Sequence, residues 1–452
     1  MDFSLEAEKY REEFLSLLSE WISIKSVYDQ KTLDKNMPFG KAVAEALQWF
    51  IDLGDKDGFI TKNIDGYAAH VEYGEGSEYV YAFGHCDVVP VGDGWTQDPF
   101  KLSKIGDKLV GRGVTDDKGP LLAAYLALKL LKDNKILPKR RIRVAAGGNE
   151  ENGFRCIKHY FKSEPKPVYG FTPDAKFPVI NGEMGAVVIN ISGIIENKSL
   201  YVKGGHVHNT IPSSILIKGC NIDDSTKKFL LENKIQISYT KDKDSEDSIK
   251  LIGEGGHSSK PEKANNPIEK MFKLYSELLQ EEWAVMLYKV FGDNNIFTEK
   301  NSGKCGKLKV VPTIIDIEVG KLNMTLSVRY PEVLSADEIT NKIKAYFKQS
   351  KFNDYEIKSS SNKNPSYVDE NSPMIKTLYS IYLKHTGDIE NKVRVTSAGT
   401  YASMMENSVV FGGEFPDGTS GNVHMADEYG SEDAFIKSIG IYAEAFYELS
   451  RL

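Results

Sequence analysis

Apolar positions Tyr10, Phe14, Leu17, Leu18, Trp21 and Ile22 recur at three- and four-residue spacing, a period that predicts an amphipathic helix near the head of the chain. A second helix is predicted over residues 41–53, stopped at Gly54, where glycine suits a left-handed cap. The apolar run from Val80 to Phe83 predicts a strand that delivers His85, Cys86 and Asp87. Strand alternation places His85 and Asp87 on one face and Cys86 on the other, where a small core residue is a simpler reading than a nucleophile. Downstream, PLLAAYLALKLLKD (120–133) reads as a helix with proline in its first turn. RIRVAAGG (141–148), PVYGFTPD (167–174) and SVVFGG (408–413) read as strands. Alternating strands and helices predict an α/β fold with a mixed, largely parallel sheet flanked by helices. Ligands of such sheets bind beyond the carboxyl ends of the strands.

Between roughly residues 189 and 366 the pattern changes to shorter alternating strands such as SILIKG and MTLSVRY, broken by charged stretches like TKDKDSEDS. This predicts an inserted α+β domain over 189–366, with 1–188 and 367–452 forming the two parts of one catalytic domain. The chain closes with SEDAFIKSIGIYAEAFYELS, whose Ser431, Glu432 and Asp433 suit a helix N-terminus.

Composition narrows the classes. The 452 residues are 41% hydrophobic and 27% charged, ordinary values for a globular protein. Lys and Arg number 57 against 64 acidic residues, a net charge of -7, which argues against nucleic acid as a partner. No stretch approaches the roughly 20 apolar residues of a membrane span, so no membrane partner is expected. Cys86, Cys156, Cys220 and Cys305 are widely spaced and form no C-x-x-C pair. Free thiols and a charged N-terminus lead us to expect a cytoplasmic protein.

Polar residues cluster where the sheet argument puts a site: His85 and Asp87, Asp116 and Asp117 in GRGVTDDKG, Glu150 and Glu151 in GGNEENG, Asp174 in FTPD, and His424 in GNVHMADE. A single histidine or aspartate at a strand end is usually a cap or a solvated group. Repetition at one predicted sheet edge outweighs that reading, because crowded carboxylates persist only when protonated, separated or neutralised by cations. The mixed nitrogen and oxygen set suits zinc or manganese.

These motifs together resemble the dinuclear zinc peptidases that include aminoacylases, succinyl-diaminopimelate desuccinylase and glutamate carboxypeptidases, and within them the bacterial dipeptidases. The resemblance runs from residue 84 to about 428. It implies two divalent metal ions, zinc first with manganese or cobalt as alternatives. Asp116 would bridge them, His85 and Asp174 would complete one site, and Glu151 and His424 the other. Asp87 would accept a hydrogen bond from the His85 ring and fix its tautomer, and the Asp116–Asp117 peptide would be cis. Glu150 would be the general base.

In the inserted domain, a lid by resemblance, His257 would stabilise the oxyanion, Asn209 would add a polar contact, and Arg329 would hold a substrate carboxylate. His206 and His208 lie close by, as an alternative functional pair or as adventitious metal ligands. Ser397 and Gly399, in the 397–403 loop, would line the pocket. The implied activity is cleavage of small peptides, dipeptides with a free amino terminus, by a chain that completes its own site, which favours a monomer over a homodimer. The alternatives are an amidohydrolase acting on N-acyl amino acids and a catalytically silent metal or peptide binder.

Overall fold

Strand Tyr79–His85 is buried at all seven positions, as a strand covered on both faces must be. It lies at the centre of the first of two compact units into which the chain divides. That unit comprises Met1–Gly182, Tyr367–Arg394 and Gly399–Leu452, and the second comprises Glu183–Ser366 and Val395–Ala398. The computed structural model describes residues 1–452 except 221, 240–247, 294 and 298–300, and at 361 and 362 the backbone alone.

In the first unit we label the strands β1 (Ile60–Ile64), β2 (Ala68–Tyr73), β3 (Tyr79–His85), β4 (Arg141–Gly147), β5 (Tyr169–Thr172), β6 (Ile180–Glu183) and β7 (Ser408–Val410). They neighbour one another in the order β1-β2-β4-β3-β5-β7-β6. The four central strands are mutually parallel, and antiparallel pairs flank them on both sides. The principal helices are α1 (Arg11–Ser23), α2 (Lys41–Lys56), α3 (Lys118–Asp133) and α4 (Glu432–Leu449). α3 and α4 are buried along most of their length. Aromatic side chains join the helices: Phe14 of α1 meets Phe435 of α4 at 5.2 Å, and Trp21 stacks on Trp49 and Phe50 around α2.

Two local expectations need correction. α2 does not stop at Leu53 but runs through Gly54 to Lys56, and the left-handed glycine is Gly58. Gly54 is small because a Cβ there would lie 2.5 Å from Cγ1 of Val71, so it serves close packing of helix on sheet. β3 ends at His85, so Asp87 is not held to the strand's alternation. The helix N-terminus expected at Ser431, Glu432 and Asp433 is where α4 begins, with Ser431 at the cap position though making no capping side-chain bond among the described residues. There Glu432 and Asp433 pair with Arg11, and Glu432 also pairs with Lys104.

The second unit is built on an eight-stranded sheet ordered Gln236–Tyr239, Ser248–Ile252, Ser214–Lys218, Tyr201–Gly204, Lys309–Glu318, Lys321–Tyr330, Gly185–Ile194 and Glu356–Lys363, antiparallel throughout. Inward residues such as Ile189, Ile217, Ile315 and Leu326 share a core with Leu230, Phe272, Leu287 and Ile343 from its helices. SILIKG and MTLSVRY both lie in these strands, while TKDKDSEDS lies outside the described residues except for Ser248. Among the described residues no helix is long and apolar enough to cross a membrane.

Candidate metal centre

Three parallel strands end at one edge of the first unit's sheet. β3 finishes at His85, paired with Gly147 at the end of β4, and β5 stops just before Asp174. Asp116 lies in the turn ahead of α3, and Glu150 and Glu151 follow β4. The buried His85 ring has Nε2 2.9 Å from Asp116 Oδ1 and 3.8 Å from Asp174 Oδ2. The other Asp116 oxygen is 2.9 Å from Nε2 of His424, itself 3.1 Å from Glu151 Oε1. Two groups result, His85 with Asp116 and Asp174, and Asp116 with Glu151 and His424. The ligand atoms of each lie within 4.8 Å of one another, and Asp116 belongs to both. Each group offers one imidazole and two carboxylates, a donor set that fits a borderline divalent cation such as zinc, manganese or cobalt.

The electrostatics have the same character. Burial lifts Glu150 well above the carboxylate range, and His85 opposes the rise while Glu151, Asp116 and Asp87 add to it. Burial and Glu150 raise Asp174 in the same way. Asp116 moves oppositely: burial works to raise it, but hydrogen bonds from His424 and His85 hold it low. His424 is pushed up to about 10 by its bonds to Asp116 and Glu151. This is negative charge gathered away from water, which bound cations neutralise.

The supporting contacts differ from expectation at Asp87. The His85 Nδ1 contact is with the backbone carbonyl of Asp87 at 2.9 Å, while the Asp87 carboxylate stands off at 3.5 Å. That carboxylate turns instead to the glutamate loop, where Oδ1 accepts from the Glu150 N–H at 3.0 Å and Oδ2 from the Glu151 N–H at 3.2 Å. The reason is the early end of β3, which frees Asp87 to point across to the loop after β4. The Asp116–Asp117 peptide is cis, and Asp117 Oδ2 accepts the His85 backbone N–H. Gly84 makes room for this contact, since a Cβ there would lie 2.2 Å from Asp117 Oδ2.

Two residues not singled out from sequence shape the Asp116 turn. Glu428 is fully buried, with Oε1 accepting from the backbone N–H groups of Gly113, Thr115 and Asp116, and Oε2 from Arg112 Nη1 at 2.7 Å. The available signal was their place inside the two motifs, Arg112 in GRGVTDDKG and Glu428 in NVHMADE.

The second unit has its own polar group. Thr210 pairs with His257, and Ser258 donates its N–H to the Asn209 carbonyl, which sets Asn209 beside His257. His257 is held below the ordinary histidine range by burial, with the positive charges of Arg329 and Lys260 and the nearby His208 adding. Arg329 is itself lowered by burial, and its buried Nε has no hydrogen-bond partner among the described residues. Ser397 donates to the Ser259 carbonyl at 3.1 Å in this unit, whereas Gly399 belongs to the first. His206 is exposed. Cys86 is fully buried in the first unit's core, and burial pushes its thiol far above the ordinary range, which leaves it unsuited to nucleophilic attack.

Beyond the geometry, the model for peptidase family M20/M25/M40 matches residues 82–448, and the chain belongs to this family and is a metallopeptidase. It is 32% identical over 479 residues to the putative dipeptidase YtjP of Bacillus subtilis (strain 168), covering 100% of both chains. It is also 32% identical over 482 residues to the Beta-Ala-Xaa dipeptidase of Lactobacillus delbrueckii subsp. lactis, covering 100% of this chain and 99% of the other. Its fold is similar to that of human carnosine dipeptidase 1, at a TM-score of 0.59, 14% identity and coverage of 100% and 98%. It is similar as well to an M20 family metallo-carboxypeptidase from Sulfolobus solfataricus, at a TM-score of 0.61, 15% identity and coverage of 97% and 100%.

Proposed function

We propose that the protein is a dipeptidase that binds two divalent cations, zinc in the first instance, and hydrolyses dipeptides with a free amino terminus. The observation that carries the reading is the division of Asp116, one oxygen against His85 and the other against His424. A carboxylate shared in this way suits a pair of cations. His85 and Asp174 would hold one ion, and Glu151 and His424 the other. Bound there, the ions supply Lewis acidity toward a carbonyl oxygen and make a water acidic enough to react near neutral pH.

The chain's own residues supply the rest. Glu150, beside the ligands but outside both groups, takes the proton of the attacking water and returns it to the leaving amine. Glu150 must be ionised to accept that proton; burial alone favours its protonated form, and cations bound beside it would favour the carboxylate. Asp87 holds the backbone of the Glu150 and Glu151 loop, so the base and a ligand are oriented together. In the second unit, Arg329 is the group we assign to a substrate carboxylate and His257 to the developing oxyanion, with Asn209 and Ser397 as substrate contacts; Gly399, of the first unit, is assigned the same role. An Arg329 Nε without a partner among the described residues supports the carboxylate role, because guanidinium forks pair with carboxylates in two parallel bonds. The dipeptidase names of the full-length relatives support the substrate class.

The test is amine release from a panel of ordinary and β-alanyl dipeptides and of N-acetyl and N-succinyl amino acids. Protein stripped by chelator is resupplied with zinc, manganese or cobalt. Metal-restored cleavage confined to the dipeptides is the expected result. Cleavage confined to the N-acyl compounds would replace the dipeptidase reading with an amidohydrolase, and none with either would favour a silent binder.

A further inference from the structure

We infer that Glu428 is a positioning residue, whose carboxylate fixes the Asp116 turn and the His424 loop against one another so that both present their ligand atoms together. This rests on the metal-site reading above. The Asp116 turn makes little regular secondary structure of its own, and the Gly113, Thr115 and Asp116 N–H groups all point to one buried carboxylate at 3.1, 2.9 and 3.1 Å. The backbone reinforces the junction: Gly111 donates its N–H to the Glu428 carbonyl, and Thr115 Oγ1 donates to the Tyr429 carbonyl at 2.8 Å. Glu428 therefore reaches the peptide of Asp116 itself.

The other partner is the loop that carries His424. There Asn422, His424 and Asp427 have φ of 59°, 63° and 55°, a left-handed region that ordinary residues keep only when their surroundings hold them. The holding contacts sit at the Glu428 end. Asp427 Oδ1 accepts from the Thr96 N–H at 2.9 Å, Asn422 Nδ2 donates to the Asp427 carbonyl at 3.1 Å, and Glu428 follows with its charge-assisted bonds. Arg112 neutralises the carboxylate at 2.7 Å and lies over the Trp95 ring at 5.2 Å. A glutamine in place of Glu428 has a single acceptor oxygen, and its amide group has no acceptor to meet among these donors.

Glu428→Gln is expected to weaken metal binding by about 10- to 100-fold in calorimetric or chelator-competition titration. It should lower kcat and leave KM for a dipeptide within about twofold. Glu72→Gln is the control: it breaks a buried pair with Arg143 at the far end of β4, and it should lower the melting temperature without changing metal affinity. Glu428→Asp keeps the charge at shorter reach and should fall between wild type and glutamine; it carries the test alone if Glu428→Gln does not fold. Folded Glu428 variants with wild-type metal affinity and kcat overturn the inference. His85→Ala and Glu151→Ala mark the other failure, because metal binding unchanged in both would sink the metal-site reading itself.

Discussion

At Asp87 a single carboxylate changes the meaning of a motif. The sequence places it two residues from His85, and strand alternation makes it the natural partner of that ring. The structure ends β3 at His85, two residues short of Asp87, and gives the carboxylate to the N–H groups of Glu150 and Glu151. Such a contact is not legible in a sequence, because it joins segments more than sixty residues apart with no periodicity to connect them. Asp87→Asn keeps the shape but offers one acceptor oxygen for two N–H donors. We expect kcat to fall about 10- to 100-fold, with metal content within about twofold of wild type by elemental analysis. Unchanged kcat would show that the loop holds itself. The residues gathered around Asp116 were visible as polar clusters after apolar runs, whereas Glu428 and Arg112 were not, since a buried ion pair looks the same in sequence as two surface charges.

At the scale of elements, the strands and helices were legible where hydrophobic period dominates, as in β3 and α3. They were misread where packing overrides local propensity, as at Gly54. One network between elements has a measurable consequence. His70 of β2 is 2% exposed, its Nδ1 2.9 Å from the Tyr160 hydroxyl, and Arg143, Glu164, Glu72 and Lys62 are the charged groups around it. Burial first, then Arg143, lowers its pKa from 6.5 to about 4. As the pH falls, the unfolded chain takes up this proton before the folded one does. The contribution to stability is therefore intact above about pH 6.5 and lost progressively on the way to pH 4, by roughly 3 kcal/mol. In denaturant titrations across that range, His70→Gln should flatten the acid limb relative to wild type. Superimposable limbs would mean that His70 is not the titrating group.

For the whole molecule, a sheet with parallel centre strands was readable along the chain, whereas the shorter strands expected between 189 and 366 were not found: Gly185–Ile194, Lys309–Glu318 and Lys321–Tyr330 run ten residues each, longer than any strand of the first unit. Strand order in the second unit was not readable, because its pairings join segments as distant as Gly185–Ile194 and Lys321–Tyr330, and nothing local specifies which distant partner a strand takes. The central claim is that one unit gathers a cation pair around Asp116 and sets Glu150 beside it as the proton carrier. The most direct test is single-turnover hydrolysis of a dipeptide by wild type and Glu150→Gln, both loaded with zinc and assayed for metal content. The account predicts metal content within about twofold of wild type and a loss of at least about a hundredfold in the rate of bond cleavage. A Glu150→Gln protein that retains its metal and cleaves at the wild-type rate would contradict it.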